Sequence, residues 1–167
     1  MWSRHSKLNV SGYEFKNRIV VPAMASQTSN QNGEVTPLSL LRYQSLARSG
    51  ASLVIVEYAY VSTHGRREAQ QLGIDCESKI EGLSLLSRVI RGEGALAGIQ
   101  ISHAGGKACT QLNNESPRAP SSHPIPSFDK PFVGHREMAL DEVAELEIDY
   151  VAAARRAYEA EFDLVEL

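Results

Sequence analysis

LAGIQISHAGG, residues 96–106, is the stretch that decides between two ways of folding this chain. It reads as a strand in which Gly98, Gln100 and Ser102 share one parity while Ile99 and Ile101 share the other. Successive strand residues point to opposite faces, so one face is small and polar and the other branched and apolar. The first suits an enclosed interior or a bound ligand, the second a position under helices. A buried glutamine also needs partners for both ends of its amide.

Outward from this strand, short apolar runs alternate with helical patterns. RIVVPAM (18–24) is a β-branched first strand that ends near Pro22. After the polar turn SQTSNQNGE, Thr36-Pro37 supplies an N-cap and a proline at the first helical position, and Leu38, Leu41 and Leu46 continue at helical spacing to Gly50. SLVIVEYAYV (52–61) is a near-continuous apolar strand of the kind found in covered parallel sheets. In ESKIEGLSLLSRVIRGEGA, Ile80, Leu83, Leu86 and Ile90 fall on one helical face before Gly92 and Gly94. Residues 107–138, rich in Pro, Ser and Asn and including APSSHPI, form a long loop after the third strand. A helix over roughly 140–160 carries the stripe Val143, Leu146, Tyr150, Ala153, Ala154 and Ala157, and the apolar run EFDLVEL (161–167) reads as a buried fourth strand.

The order βαβαβαβ with unalternating strands predicts an α/β fold with a parallel sheet. A doubly wound open sheet and part of a (β/α)₈ barrel both satisfy it. HAGGK lacks GxGxxG or GxxxxGK spacing, so no phosphate fingerprint supports a nucleotide-binding open sheet, and the polar face of residues 96–106 favours the barrel.

Composition excludes several functions. The 167 residues are 43% apolar and 22% charged, enough for a core, and a formal charge of −3 offers no basic field for nucleic acid or an anionic membrane. MWSRHSKLNV has no secretory core, and no run reaches the ~18 apolar residues of a membrane span, so a cytoplasmic location is expected. Cys76 and Cys109 are too few for a disulfide framework or a zinc site, and no metal is expected.

The working face of a parallel α/β fold lies at the carboxyl ends of its strands. There stand Ala23-Met24-Ala25, Glu57-Tyr58 and Gln100 through His103, a set of small residues with one amide, one carboxylate and aromatics. Such a surface accepts a flat ring, with the amide matching a heterocycle edge that offers both a donor and an acceptor. Structural roles compete: Gln100 as an internal hydrogen-bonder, His103 positioning its loop, and Glu57 holding a backbone amide or a basic residue. Arg66 and Arg67 read as solvated loop charges.

KNRIVVPAM, LVIVEYAYV with GR and QLGI after it, GIQISHAGGK and FDLVEL resemble, in order and from about Lys16 to Leu167, the Old Yellow Enzyme family of NADH:flavin oxidoreductases and ene-reductases. The resemblance implies an FMN-binding (β/α)₈ TIM barrel, with residues 1–167 as its N-terminal half of about four parallel strands and three helices. It places Pro22, Ala23, Met24 and Ala25 under the flavin ring, Gln100 at the pyrimidine edge and Tyr58 beside the ring. Gln27 falls where a subgroup has a substrate-facing residue, and Ala25 replaces a cysteine that tunes the flavin in some relatives. The implied reaction passes hydride from NAD(P)H through the flavin to an enone-type small molecule. The acceptor anchors and phosphate site fall beyond Leu167, so no catalytic acid is assigned, and either self-association or a complementary C-terminal half is expected. The rival readings are a flavin-free barrel remnant and a barrel lyase.

Overall fold

The computed structural model describes residues 3–125 and 134–167. It begins with a hairpin that apolar periodicity does not foreshadow, β1 (Leu8–Val10) paired antiparallel with β2 (Tyr13–Phe15). Ser11 and Gly12 between them both have positive φ, 49° and 87°, the requirement of a tight two-residue hairpin turn. β3 (Val20–Val21) is shorter than the run RIVVPAM, because Pro22 has no N–H to continue a ladder.

α1 (Pro37–Arg48) starts as expected. Thr36 Oγ1 accepts from the Ser39 amide at 3.2 Å, and the Ser39 hydroxyl accepts from the Thr36 amide at 3.2 Å. The buried face differs from the expectation: Leu38 and Leu41 are 59% and 64% exposed, and Ser39, Tyr43 and Ala47 face inward, flanked by Leu40 and Leu46. The Thr36 and Ser39 hydroxyls both donate to the Thr28 carbonyl, which sets the rotation of the helix about its axis at its first turn.

β4 (Leu53–Tyr60) is buried over nearly its whole length, and α2 (Ile80–Gly92) buries Leu83, Leu86, Ser87 and Ile90. β5 (Leu96–Ser102) follows. Residues 107–138 are more structured than a plain loop, with a helical turn α3 (Thr110–Asn113) and a parallel pair, β6 (Arg118–Ala119) with β7 (Arg136–Glu137); positions 126–133 of that segment lie outside the described residues. Ion pairs fasten the segment to the next helix: Arg118 reaches Glu115 at 2.8 Å and Glu142 at 3.2 Å, and Arg136 also binds Glu142. The Arg136 bond, helped by the Ala139 amide, holds the Glu142 carboxyl down to about 2. α4 (Leu140–Glu159) then leads to β8 (Leu164–Glu166).

The main sheet has the order β3-β4-β5-β8, and every pair is parallel. One face carries Val54, Val56, Ala97, Ile99 and Ile101 into a core with Tyr43, Leu83, Leu86, Ile90, Ala153 and Ala157, so α1, α2 and α4 cover that side. The isoleucines of β5 thus pack under helices, as their parity predicts. The opposite face carries Leu53, Ile55, Gly98 and Leu164 at such close range that a Cβ on Gly98 would stand 2.6 Å from a Leu164 methyl. Leu164 and Leu167 nevertheless remain exposed, so the last strand is not buried among the described residues as its apolar run predicts.

Candidate functional site

The carboxyl ends of β4 and β5 are shaped by a register change. Val56 pairs with Ile99, but the next pair is Ala59 with Ile101, so β4 carries one residue more than β5 at Glu57-Tyr58. A bulge of this kind breaks the ladder locally and re-aims side chains. Its polar groups are taken up by side chains from elsewhere: the Glu57 amide donates to the Tyr43 hydroxyl at 2.8 Å, and the Tyr58 carbonyl accepts from Gln71 Nε2 at 3.2 Å. Burial, reinforced by the Glu57 charge, pushes the Tyr43 hydroxyl well above the ordinary tyrosine range.

Two chain segments hang on this bulge. The buried Glu57 carboxylate accepts from the Ser26 amide at 2.6 Å and from the Ser26 hydroxyl, which anchors the segment after β3. Glu57 therefore has the backbone-holding role. Gln71, also buried, accepts through Oε1 from the Arg67 amide at 2.8 Å and more distantly from that of Glu68, which draws the loop after β4 toward Tyr58.

Between these segments lie two clefts that meet. One of about 330 Å³ is lined by Tyr58, Arg67, Gln100, His103, Lys107 and Tyr150, among others, and one of about 380 Å³ by Ala25, Gln27, Tyr58, Arg67 and Glu68. Tyr58 and Arg67 belong to both. The fold thus brings Ala25, Gln27, Tyr58 and Gln100 to one place. Pro22, Ala23 and Met24 line neither cleft; they follow β3 directly, with Met24 44% exposed. Gln27 has φ 51°, a left-handed conformation that is uncommon outside glycine and that concentrates at functional sites.

The Gln100 amide donates from Nε2 to Glu166 Oε1 at 2.7 Å. His103 orders its own loop, its Nδ1 accepting from the Gly105 amide at 3.0 Å. Burial, with the nearby charges of His64 and Arg118, pushes the imidazole down to about 4, so it is neutral at pH 7. The expectation for Arg66 and Arg67 is corrected. Arg66 is a clamp, donating to the carbonyls of Gln31, Glu68 and Ala69 with its guanidinium over the Tyr60 ring, and Arg67 lines both clefts. Gln71 and Glu166 are further site residues that spacing did not single out. Glu166 shares its parity with Leu164, and only the β5–β8 register shows that this faces Gln100. Among the described residues no group of three or more His, Cys, Asp or Glu could hold a metal ion, and no helix is long and apolar enough to cross a membrane.

Four parallel strands, three covering helices and a cleft at the strands' carboxyl ends define one side of a barrel enzyme's mouth. Residues 7–167 match the NADH:flavin oxidoreductase / NADH oxidase family, and the chain belongs to that family. It is 36% identical over 159 residues to an NADPH dehydrogenase of Bacillus velezensis, covering 95% of this chain and 45% of that protein. It is 34% identical over 157 residues to an NADH:acrylate oxidoreductase of Vibrio harveyi, covering 94% of this chain and 15% of that protein. Among solved structures, the old yellow enzyme homologue from Zymomonas mobilis superposes with a TM-score of 0.90 at 27% identity, over 98% of this chain and 47% of the other. The sheet and helices described here are therefore about half of an Old Yellow Enzyme-type TIM barrel. The chain spans about half the length of the NADPH dehydrogenases it matches.

Proposed function

We propose that this chain forms the flavin-ring side of an FMN-dependent oxidoreductase that moves hydride from NAD(P)H to an activated, enone-type alkene. The observation that carries the reading is the meeting of two clefts at Tyr58, beside an amide with hydrogen-bonding capacity left over, at the carboxyl ends of the parallel strands. A flat ring bearing donors and acceptors on one edge fits that lining. Bound FMN supplies the hydride chemistry itself.

The residues of this chain hold and orient. Gln100 faces the pyrimidine edge, Tyr58 packs against the ring, and the segment Pro22 to Ala25 runs beneath it, held by Glu57 through Ser26. Gln27 lies on the substrate side. Lys107 puts positive charge on the rim, which favours anionic ligands, while Arg67 is paired with Glu68 at 3.5 Å. That a relative is an acrylate oxidoreductase supports an activated alkene as acceptor.

β3 and β8 each pair on one side only among the described residues, which leaves two sheet edges unpaired, and a complementary half of the barrel would close them. The test is to purify the chain alone and co-expressed with the C-terminal half of a relative, recording flavin absorbance and light scattering. The expected result is a yellow complex with the added half, and a self-associating chain that micromolar FMN fails to saturate without it. A colourless complex refutes the flavin reading. A stable monomer binding FMN below micromolar concentration refutes the need for a second half.

A further inference from the structure

We infer that Glu166 is a positioning residue: it fixes which way the Gln100 amide faces, and so sets the register of the flavin ring in the cleft. This rests on the flavin reading above.

Gln100 and Glu166 are direct register partners on neighbouring parallel strands, one step beyond Gly98 and Leu164 on the same face. A side-chain amide has two orientations of nearly equal shape, and only its neighbours distinguish them. An ionised carboxylate accepts and cannot donate. At 2.7 Å from Gln100 Nε2, Glu166 makes a charge-assisted bond that holds the NH₂ end toward β8 and leaves the carbonyl end facing away. The turned orientation would set oxygen against oxygen.

The pair does not satisfy itself. The second N–H and the carbonyl oxygen of Gln100 have no hydrogen-bond partner among the described residues, and Gln100 lines the same cleft as Tyr58 and Arg67. The cleft is thus offered one acceptor and one donor in a fixed order. The pyrimidine edge of a flavin, an N3–H between two carbonyls, meets that order with N3–H on the Gln100 oxygen and one ring carbonyl on the remaining N–H. A turned amide would present N–H to N–H. Without Glu166 both orientations are open and the ring loses its unique register.

The test uses the full chain co-expressed with the C-terminal half of a relative and freed of flavin, with lumiflavin and 3-methyllumiflavin, rings that lack phosphate and therefore report ring recognition alone. By quenching of flavin fluorescence, the wild type is expected to prefer lumiflavin by about 10-fold, the size of one well-made hydrogen bond. Glu166→Gln keeps the shape but can donate or accept, and should cut that preference to under about 3-fold. A role confined to folding would change both affinities together and leave the ratio alone. An unchanged ratio in Glu166→Gln overturns the inference and leaves the flavin site standing. A wild-type complex that binds neither ring overturns the flavin reading and the inference with it. A measurement that needs no variant is the side-chain amide spectrum of ¹⁵N-glutamine-labelled wild type: two widely separated Gln100 proton resonances are expected, and the shifts of a free glutamine overturn the inference.

Discussion

Replacing Tyr43 by phenylalanine removes one oxygen atom and tests whether the bulge in β4 is built as described. The Tyr43 side chain is 2% exposed, and its hydroxyl accepts the Glu57 amide at 2.8 Å from a different element, α1. Glu57 is out of register with β5, so no ladder partner replaces the hydroxyl. A buried N–H left without an acceptor costs about 1–3 kcal/mol. Burying the polar hydroxyl no longer opposes folding in the variant, which offsets a little of this, so we expect a net loss of about 1–2.5 kcal/mol. For a chain of this size that corresponds to a fall in Tm of roughly 3–8 °C. The assay is urea unfolding followed by circular dichroism at two protein concentrations, so that association is separated from stability. Tyr158→Phe, at an 81% exposed position, is the control and should stay within about 0.5 kcal/mol of wild type. A Tyr43→Phe protein as stable as that control, with an unchanged denaturant slope, would refute the account of how the bulge is satisfied.

Gln100→Leu should weaken FMN binding by roughly 5–150-fold, from ~1–3 kcal/mol of unpaired ring donors and acceptors, with a smaller effect on stability; fluorescence quenching in the reconstituted barrel checks it, and unchanged affinity removes Gln100 from the site. Tyr58→Ala should weaken the same binding by about 2–10-fold through lost ring packing, and a titration indistinguishable from wild type removes Tyr58. At Gly65 an added Cβ would stand 2.3 Å from the His103 ring and 3.0 Å from its Cα, so Gly65→Ala should cost about 1–3 kcal/mol in a urea melt, against no measurable change if the loop can move aside. His103 has its folded pKa at about 4, below the usual 6.5, so the unfolded chain takes up a proton that the folded chain refuses between those values. Stability from this group is complete above about pH 6.5 and falls as the pH drops toward 4. His103→Asn should flatten that part of the stability–pH curve, and an unchanged slope would show that His103 is not its source.

Much of the architecture is local and therefore readable in order along the chain. Apolar runs such as SLVIVEYAYV and LAGIQISHAGG become β4 and β5, Thr36-Pro37 starts α1, and the parity of Ile99 and Ile101 correctly puts them under helices, while the opposite face is apolar around Gly98 and turns polar only at Gln100 and Glu166. These follow from side-chain period and capping chemistry, which depend on residues a few positions apart. The motifs in those runs also carry the family likeness. What spacing along the chain could not supply is whatever depends on two distant segments meeting. α1 turns Leu38 and Leu41 outward because its first turn is tied to Thr28. Arg66 is a clamp because carbonyls of Gln31 and Ala69 converge on it. The extra residue at Glu57-Tyr58 exists only relative to β5, and the partners that stabilise it come from α1 and from Gln71. Gln100 meets Glu166 across 66 positions of sequence because β5 and β8 pair in one register and no other. A one-residue slip would turn Glu166 to the opposite face, so the pairing of the strands, a property of the assembled sheet, decides how the cleft presents its amide.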